Sequence, residues 1–323
     1  MRALITGIRG FVGPYLAALL RSQGSECVGI SYGPESTPHP ISLDGVRVHL
    51  VDIRDRHALR SVLESEKPDQ VFHLAAMSHV AGTQADPELT FDVNVVGTFN
   101  LFEGLRQVAA AARVLFVSTG NLYGDVDSGD RGFSEDSPVH ATSPYASSKL
   151  IGEQLARSYV EDFGMQIVMA RPFNHTGPGQ SPAFACPRFA RAVAQGAVRG
   201  TDVILTTGRL DVQRDLSDVR DVVRAYALLA ERGRPGEVYN VCSGSMVRME
   251  QVVAVLAEIA GVHVTTVFDP AKARKREIAR LGGDCSRIRT DHAWRPEIPL
   301  QETLRSLLNY WVAQCREQDT LPD

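Results

Sequence analysis

The 323 residues are 44% hydrophobic and 22% charged, which excludes a disordered chain and suffices for one large core or for two domains sharing an interface. A formal net charge of −4 with scattered Lys and Arg gives no basic field for a nucleic-acid backbone, so nucleic acid is not an expected partner. Five cysteines, odd in number, widely spaced and without Cys-x-x-Cys, indicate neither a disulfide framework nor a zinc site, and no metal is expected.

The chain opens on a strand pattern, Arg2-Ala3-Leu4-Ile5-Thr6, with no basic-then-apolar leader. No apolar run approaches ~18 residues, so no membrane partner is expected and a reducing, cytoplasmic home is. Next come Gly7-Ile8-Arg9-Gly10-Phe11-Val12-Gly13 and an amphipathic stretch, 15–23. Strand, glycine turn and helix in this order bind a dinucleotide. Gly7 permits the tight turn, Gly10 lets backbone approach a pyrophosphate, and Gly13 lets helix and strand pack closely. Phe11 and Val12 complete this cofactor-binding turn.

A second strand, 26–31, ends at Ser31 where the adenosine ribose belongs, and no acid stands there to take a 2′-hydroxyl. Glu35 lies beyond Gly33-Pro34, in a loop. Arg9 can reach the same spot and neutralise a 2′-phosphate; the alternative is a solvated loop charge. NADP is therefore favoured over NAD. A third strand, 46–51, leads to Asp52-Ile53 at the adenine edge. A helix over 55–66 takes Asp55 as N-cap, and a fourth strand, 70–74, ends at Leu74-Ala75-Ala76, small residues where backbone can line a cofactor. His73 at its end reads as packing, since no metal partner stands at ligand spacing.

A long helix is expected over 86–108 and a fifth strand over 113–118, ending at Thr119, whose hydroxyl lies over the sheet edge. Thr142-Ser143-Pro144 then opens a helix running to about Phe163. Tyr145 and Lys149, four apart, share one of its faces, and a phenol beside an ammonium is an acid/base pair. A sixth strand, 166–170, precedes a loop at the same edge. Beyond it the rhythm loosens: helix 182–199, strand 202–206, a polar loop with Arg214-Asp215, helix 218–232, strand 237–241, helix 248–260, strand 263–268, a basic run and helix 300–316. This reads as an α/β protein with a Rossmann-like doubly wound parallel sheet and a smaller α/β C-terminal substrate lobe. Residues 1–172 form the NADP-binding domain, with sheet contributions from later segments, and 173–323 form mainly the substrate lobe.

Gly7-x-x-Gly10-x-x-Gly13, Thr119 and Tyr145-x-x-x-Lys149, in this order, resemble the extended short-chain dehydrogenase/reductase family acting on nucleotide sugars. The likeness covers nearly the whole chain. It implies that Lys149 binds the nicotinamide ribose and lowers the pKa of Tyr145, that Thr119 hydrogen-bonds the sugar oxygen, and that Tyr145 transfers the proton. The stretches 171–180, 213–221 and 238–244 are similar to the branch containing GDP-mannose 4,6-dehydratases and GDP-4-keto-6-deoxy-D-mannose reductases. That similarity implies Asn174 on the sugar diphosphate and Arg214 on the phosphates, an ion pair of Arg214 with a neighbouring Asp being the alternative. Arg274 and Glu277 correspond to the family's base-binding end, where Lys275 replaces an expected proline. Met77-Ser78-His79 lies where the sugar ring belongs; His79 reads equally as a sugar ligand or a solvated loop residue. The substrate-binding set is completed by Arg188, Thr119 and Asn121.

One position separates the reactions of this branch. A dehydratase carries a carboxylate two residues after its Ser/Thr, and here that residue is Asn121, an amide that cannot act as base. The expected reaction is NADPH-dependent reduction of the C4 ketone of a nucleotide-linked 4-keto-6-deoxy sugar, above all GDP-4-keto-6-deoxy-D-mannose. A 4-epimerase or 4,6-dehydratase of the same family is the rival, and a non-catalytic NADP-sensing protein the rival from another class. A homodimer is also implied, with helices near 88–108 and 144–163 pairing across a two-fold axis.

Overall fold

The computed structural model describes residues 1–33, 39–78, 80–272 and 278–319. In its first half, strands β1 (Arg2–Thr6), β2 (Glu26–Ser31), β3 (Arg47–Leu50), β4 (Gln70–His73), β5 (Arg113–Val117) and β6 (Gln166–Pro172) alternate with helices. These are α1 (Gly13–Ser22), α2 (Arg56–Glu66), α3 (Val80–Ala85), α4 (Pro87–Phe91), α5 (Gly97–Val108) and α6 (Pro144–Phe163). Then come β7 (Asn174–Thr176), α7 (Ala185–Arg199), β8 (Val203–Thr207), β9 (Gln213–Asp218), α8 (Val219–Arg232), β10 (Val238–Val241), β11 (Met246–Arg248), α9 (Met249–Ala260), β12 (Val264–Phe268), β13 (Arg280–Leu281), α10 (Ser286–His292) and α11 (Leu300–Asp319).

Seven strands pair in the order β3-β2-β1-β4-β5-β6-β10, all parallel, as the alternation of strands and helices requires. Strand β1 shows why both faces must be covered. Ala3 and Ile5 enter the core under α1 and α8 with Leu16, Val222 and Tyr226, while Leu4 points into the opposite core with Leu101, Phe102 and Leu105. A third core joins α7, α9 and α11 through Phe189, Val252, Leu307 and Trp311. Around it β11-β9-β13, with β7 on β9, and the separate pair β12-β8 make two small sheets.

Local signals account for the element ends. Asp55 caps α2, accepting from His57 N and Ala58 N at 3.0 Å each. Ser143 caps α6, accepting from Ala146 N at 3.2 Å, and Gly164 closes that helix in the left-handed region at φ 66°. The expected helix over 86–108 is continuous but passes through a π-helical turn, Asp92–Val96, between α4 and α5. Inside that turn Asn94 accepts from Met77 N at 2.8 Å and donates to Met77 O at 3.1 Å and Ser148 Oγ at 3.0 Å. It thereby ties the loop after β4 to α6.

Two expectations are corrected. The stretch with Arg214-Asp215, expected as a polar loop, is strand β9. Its Asp215 carboxylate is buried but bonded, accepting from Ser243 N and Oγ at 2.7 Å and from Gly244 N at 2.8 Å. The segment before the last helix contains α10, which sequence reading did not separate. His73 is a packing residue, as read: it is fully buried between Thr6 Oγ1 at 2.7 Å and Thr98 Oγ1 at 2.9 Å. Burial pulls its pKa down to about 3, so the ring is neutral. No group of metal-ligating side chains occurs among the described residues, and none of their helices is long and apolar enough to cross a membrane.

Candidate active site

A cleft of ≈ 680 Å³ opens at the C-terminal ends of β1 to β6. Its floor is the glycine turn. Gly7 sits at φ +72°, its N–H donating to Ile30 O at 2.8 Å, and a Cβ there would come within 2.9 Å of Ala75 N. Arg9, Gly10, Phe11, Val12 and Gly13 line the same wall, facing Leu74, Ala75 and Ala76 from the loop after β4.

The adenosine end lies past β2 and β3. Ser31, Asp52 and Ile53, the residues expected at adenosine, line this end of the cleft with Tyr32 and Arg54, which sequence reading passed over. Arg9 Nη1 donates to Gly33 O at 3.1 Å. Asp52 is engaged by Arg54, Nε at 2.9 and 3.1 Å to the two carboxylate oxygens and Nη2 at 2.6 Å. Those hydrogen bonds hold the Asp52 carboxyl below its ordinary pKa. Glu35 lies outside the described residues.

At the other end, Thr119, Tyr145 and Lys149 converge in the cleft, from the turn after β5 and the first two turns of α6. Thr119 Oγ1 accepts from Asn121 N at 3.2 Å, capping the short 3-10 turn Gly120–Tyr123. Tyr145 is only 8% exposed, and burial raises its pKa to about 12 against the opposing pull of the Thr119 hydroxyl. The lowering expected from Lys149 does not offset that rise. Burial lowers the pKa of the ammonium itself to about 7, opposed by Glu153 one turn on. The Lys149 Nζ stands 4.9 Å over the Phe116 ring and makes no hydrogen bond among the described residues. A buried cation whose donors are left over, beside a glycine turn with no room for a Cβ, fits a dinucleotide with its ribose hydroxyls at Lys149.

Ser78, Asn121 and Asn174 also line the cleft, whereas Arg188 and Arg214 do not. Arg214 is turned into the small sheet, where its Nη1 donates to Gln213 O and Ile278 O at 2.8 Å each. Arg188, on α7, lies against Phe189, its guanidinium 5.6 Å from the ring centroid. His79, Arg274 and Glu277 lie outside the described residues. Sequence reading missed Leu89, Val93, His175 and Tyr226 of the lining. His175 stacks on Phe11 at 6.0 Å, and its Nδ1 donates to Phe173 O at 3.0 Å. Its place in the 171–180 loop was the available signal.

A doubly wound sheet, a glycine turn under a dinucleotide-sized cleft and a buried Tyr-x-x-x-Lys pair beside a threonine define an oxidoreductase of the extended short-chain dehydrogenase/reductase class. Comparison with known proteins narrows this. The family profile for GDP-mannose 4,6 dehydratase matches residues 4–307, and the chain belongs to that family. It is 35% identical to the GDP-6-deoxy-D-mannose reductase of Pseudomonas aeruginosa, over 98% of this chain and 99% of that protein. With a GDP-mannose 4,6-dehydratase of Vibrio cholerae identity is 29%, over 93% of this chain and 91% of the relative. Among solved structures, that of RMD from Pseudomonas aeruginosa complexed with NADPH superposes with a TM-score of 0.85 at 34% identity, covering 97% of this chain and 99% of that one. The UDP-glucose 4-epimerase of Thermus thermophilus, complexed with NAD, gives 0.85 at 30% identity, covering 96% and 99%.

Proposed function

We propose that the protein reduces the C4 ketone of a nucleotide-linked 4-keto-6-deoxy sugar with NADPH, the substrate being GDP-4-keto-6-deoxy-D-mannose. The observation that carries this reading is the absence of a carboxylate base beside Thr119 and Tyr145. Asp52 is the one carboxylate among the described residues lining the cleft, and it is bound to Arg54 at the adenosine end. Asn121 stands where a dehydratase needs an acid, so a proton cannot be taken from C5 there.

Reduction needs only a hydride and a proton. NADPH, when bound in the cleft, supplies the hydride. Thr119 and Tyr145 hold the ketone oxygen, and Tyr145, kept protonated by its burial, gives its proton to that oxygen as C4 becomes tetrahedral. The transfer runs downhill, because an alkoxide is a stronger base than the phenolate it leaves. Lys149 holds the ribose hydroxyls and balances the phenolate's charge. Arg9 faces the 2′-phosphate, and Asn174 the sugar diphosphate. Residues 1–172 serve chiefly as the cofactor-binding domain and 173–323 as the substrate lobe, with Arg188, Arg214, Arg274 and Glu277 assigned to that lobe.

A homodimer is part of the proposal. Val96 and Phe99 on the π-turn and α5, with Ile151 and Phe163 on α6, are large apolar side chains 38–52% exposed on the two helices expected to pair. Five cysteines that are all free support a reducing, cytoplasmic location.

The test is to mix the purified protein with NADPH and GDP-4-keto-6-deoxy-D-mannose, follow the loss of NADPH and identify the product by NMR. Stoichiometric oxidation with formation of a GDP-6-deoxyhexose is expected. No oxidation with any GDP-, dTDP-, CDP- or UDP-linked 4-keto sugar refutes the reading. Water loss from GDP-mannose reassigns the protein as a dehydratase, and sugar turnover without net NADPH loss as an epimerase.

A further inference from the structure

The adenosine end of the cleft poses an electrostatic problem. A 2′-phosphate brings close to two negative charges there, and Asp52 stands in the same wall. An exposed carboxylate would repel it. Yet Asp52 is not exposed as a bare charge: both its oxygens are taken by the Arg54 side chain, at 2.6 to 3.1 Å, and Arg54 N adds a bond to one of them at 2.9 Å. The guanidinium is thus fixed in one orientation by Nε and Nη2, while Nη1 makes no hydrogen bond among the described residues. Across the strand ends, Arg9 is fixed in the same manner by its bond to Gly33 O. Tyr32, 77% exposed, follows β2 in the same wall, close enough to Arg54 to act on it electrostatically.

We infer that Arg54 is the second determinant of cofactor choice, masking Asp52 and presenting its remaining N–H donors, with Arg9, to the 2′-phosphate of the cofactor. The assignment rests on the NADPH-dependent reading above. Two guanidinium groups held from behind by fixed acceptors suit a phosphate better than free lysines would, because little side-chain freedom is lost on binding. Arg54 then has two effects. It adds charge-assisted hydrogen bonds, and it removes the repulsion that Asp52 would exert. Its loss should therefore harm the 2′-phosphorylated ligand beyond the missing bonds, and part of that harm should vanish when Asp52 is neutralised.

Isothermal titration with two adenosine fragments tests this without turnover. Adenosine 2′,5′-bisphosphate carries the extra phosphate and 5′-AMP lacks it. In Arg54→Leu, binding of the bisphosphate is expected to weaken about ten- to a hundredfold, the loss that charge-assisted hydrogen bonds imply, with 5′-AMP changed about twofold or less. Asp52→Asn combined with Arg54→Leu should recover part of the lost affinity. Arg54 is partly exposed, its side chain 34% accessible, so the variant folds; unchanged thermal unfolding verifies it. Equal weakening of both ligands, or of neither, overturns the assignment. A double variant no better than Arg54→Leu overturns the masking of Asp52. If the unaltered protein itself shows no preference for the bisphosphate, the NADPH reading fails first, an outcome distinct from failure of Arg54 alone.

Discussion

Replacing Glu153 by Gln breaks a buried ion pair one turn beyond Lys149, and its cost can be worked from the geometry. Glu153 is 0% exposed and Arg171 3%; the guanidinium reaches the carboxylate through Nε at 2.8 Å and Nη2 at 2.7 Å. Breaking such a pair from one side costs about 3–5 kcal/mol, because the remaining charge stays buried. Here two details favour the low end. Arg171 Nη1 keeps its bond to Tyr123 Oη at 3.1 Å, and the glutamine carbonyl can accept one of the two lost bonds. About 3 kcal/mol then corresponds to a fall in Tm of roughly 4–5 °C for a chain of this length. Thermal unfolding followed by the fluorescence of the buried Trp294 and Trp311 measures it. Removing both charges together, as Glu153→Leu with Arg171→Met, should cost less than the single change, since no orphan charge is left. A single variant within about 1 kcal/mol of the unaltered protein, or a double variant less stable than the single, would refute the reasoning.

Other outcomes follow from the same geometry. Tyr145→Phe should lower the rate of ketone reduction about 10²–10⁴-fold while the Kd for NADPH moves only a few-fold, and an unchanged rate removes the phenol from the proton's path. Gly7→Ala forces a side chain into a left-handed conformation at φ +72°, about 1–2 kcal/mol of backbone strain, and against Ala75; fluorescence titration should show NADPH binding weakened more than tenfold. Phe99→Lys combined with Ile151→Lys should take the proposed dimer to monomer in analytical ultracentrifugation, and a variant that sediments as the parent does refutes the proposed pairing of these helices. Lys149 titrates near 7 when folded and at the ordinary 10.5 when unfolded, so between these values the unfolded chain binds more protons. Its contribution to stability therefore rises with pH across that window, and denaturant midpoints of Lys149→Met should lack that rise.

The first half of the chain was well legible in the sequence, because its signals are local. Buried parallel strands read as apolar runs, Asp55 and Ser143 stand at real helix caps, and the glycines fall where backbone must turn or approach. The second half was harder for a physical reason. Strand β9 carries a polar run whose Asp215 is satisfied by distant main-chain groups, Ser243 N and Gly244 N, and polarity alone reads as a solvent-facing loop. Arg214 shows the same limit: its bonds to the carbonyls of Gln213 and Ile278 join segments that no local pattern connects. At Tyr145 and Lys149 the spacing was legible but the electrostatics were not. Proximity of Lys149 suggested a lowered Tyr145 pKa, and the burial that raises it instead depends on packing that no local spacing encodes.

Strand β10 joins the seven-stranded sheet beside β6, although the chain leaves that sheet at Pro172 and returns only at Val238. On a ribosome making roughly 5–20 residues per second, the sheet's final edge is missing for several seconds after β6 has emerged. During that interval β6 presents an open, apolar parallel edge, and nascent chains halted between the two strands should be the aggregation-prone ones. Extending such a stalled chain through Val241 should restore its solubility, which makes the order of synthesis, as well as the finished contacts, a property of this fold.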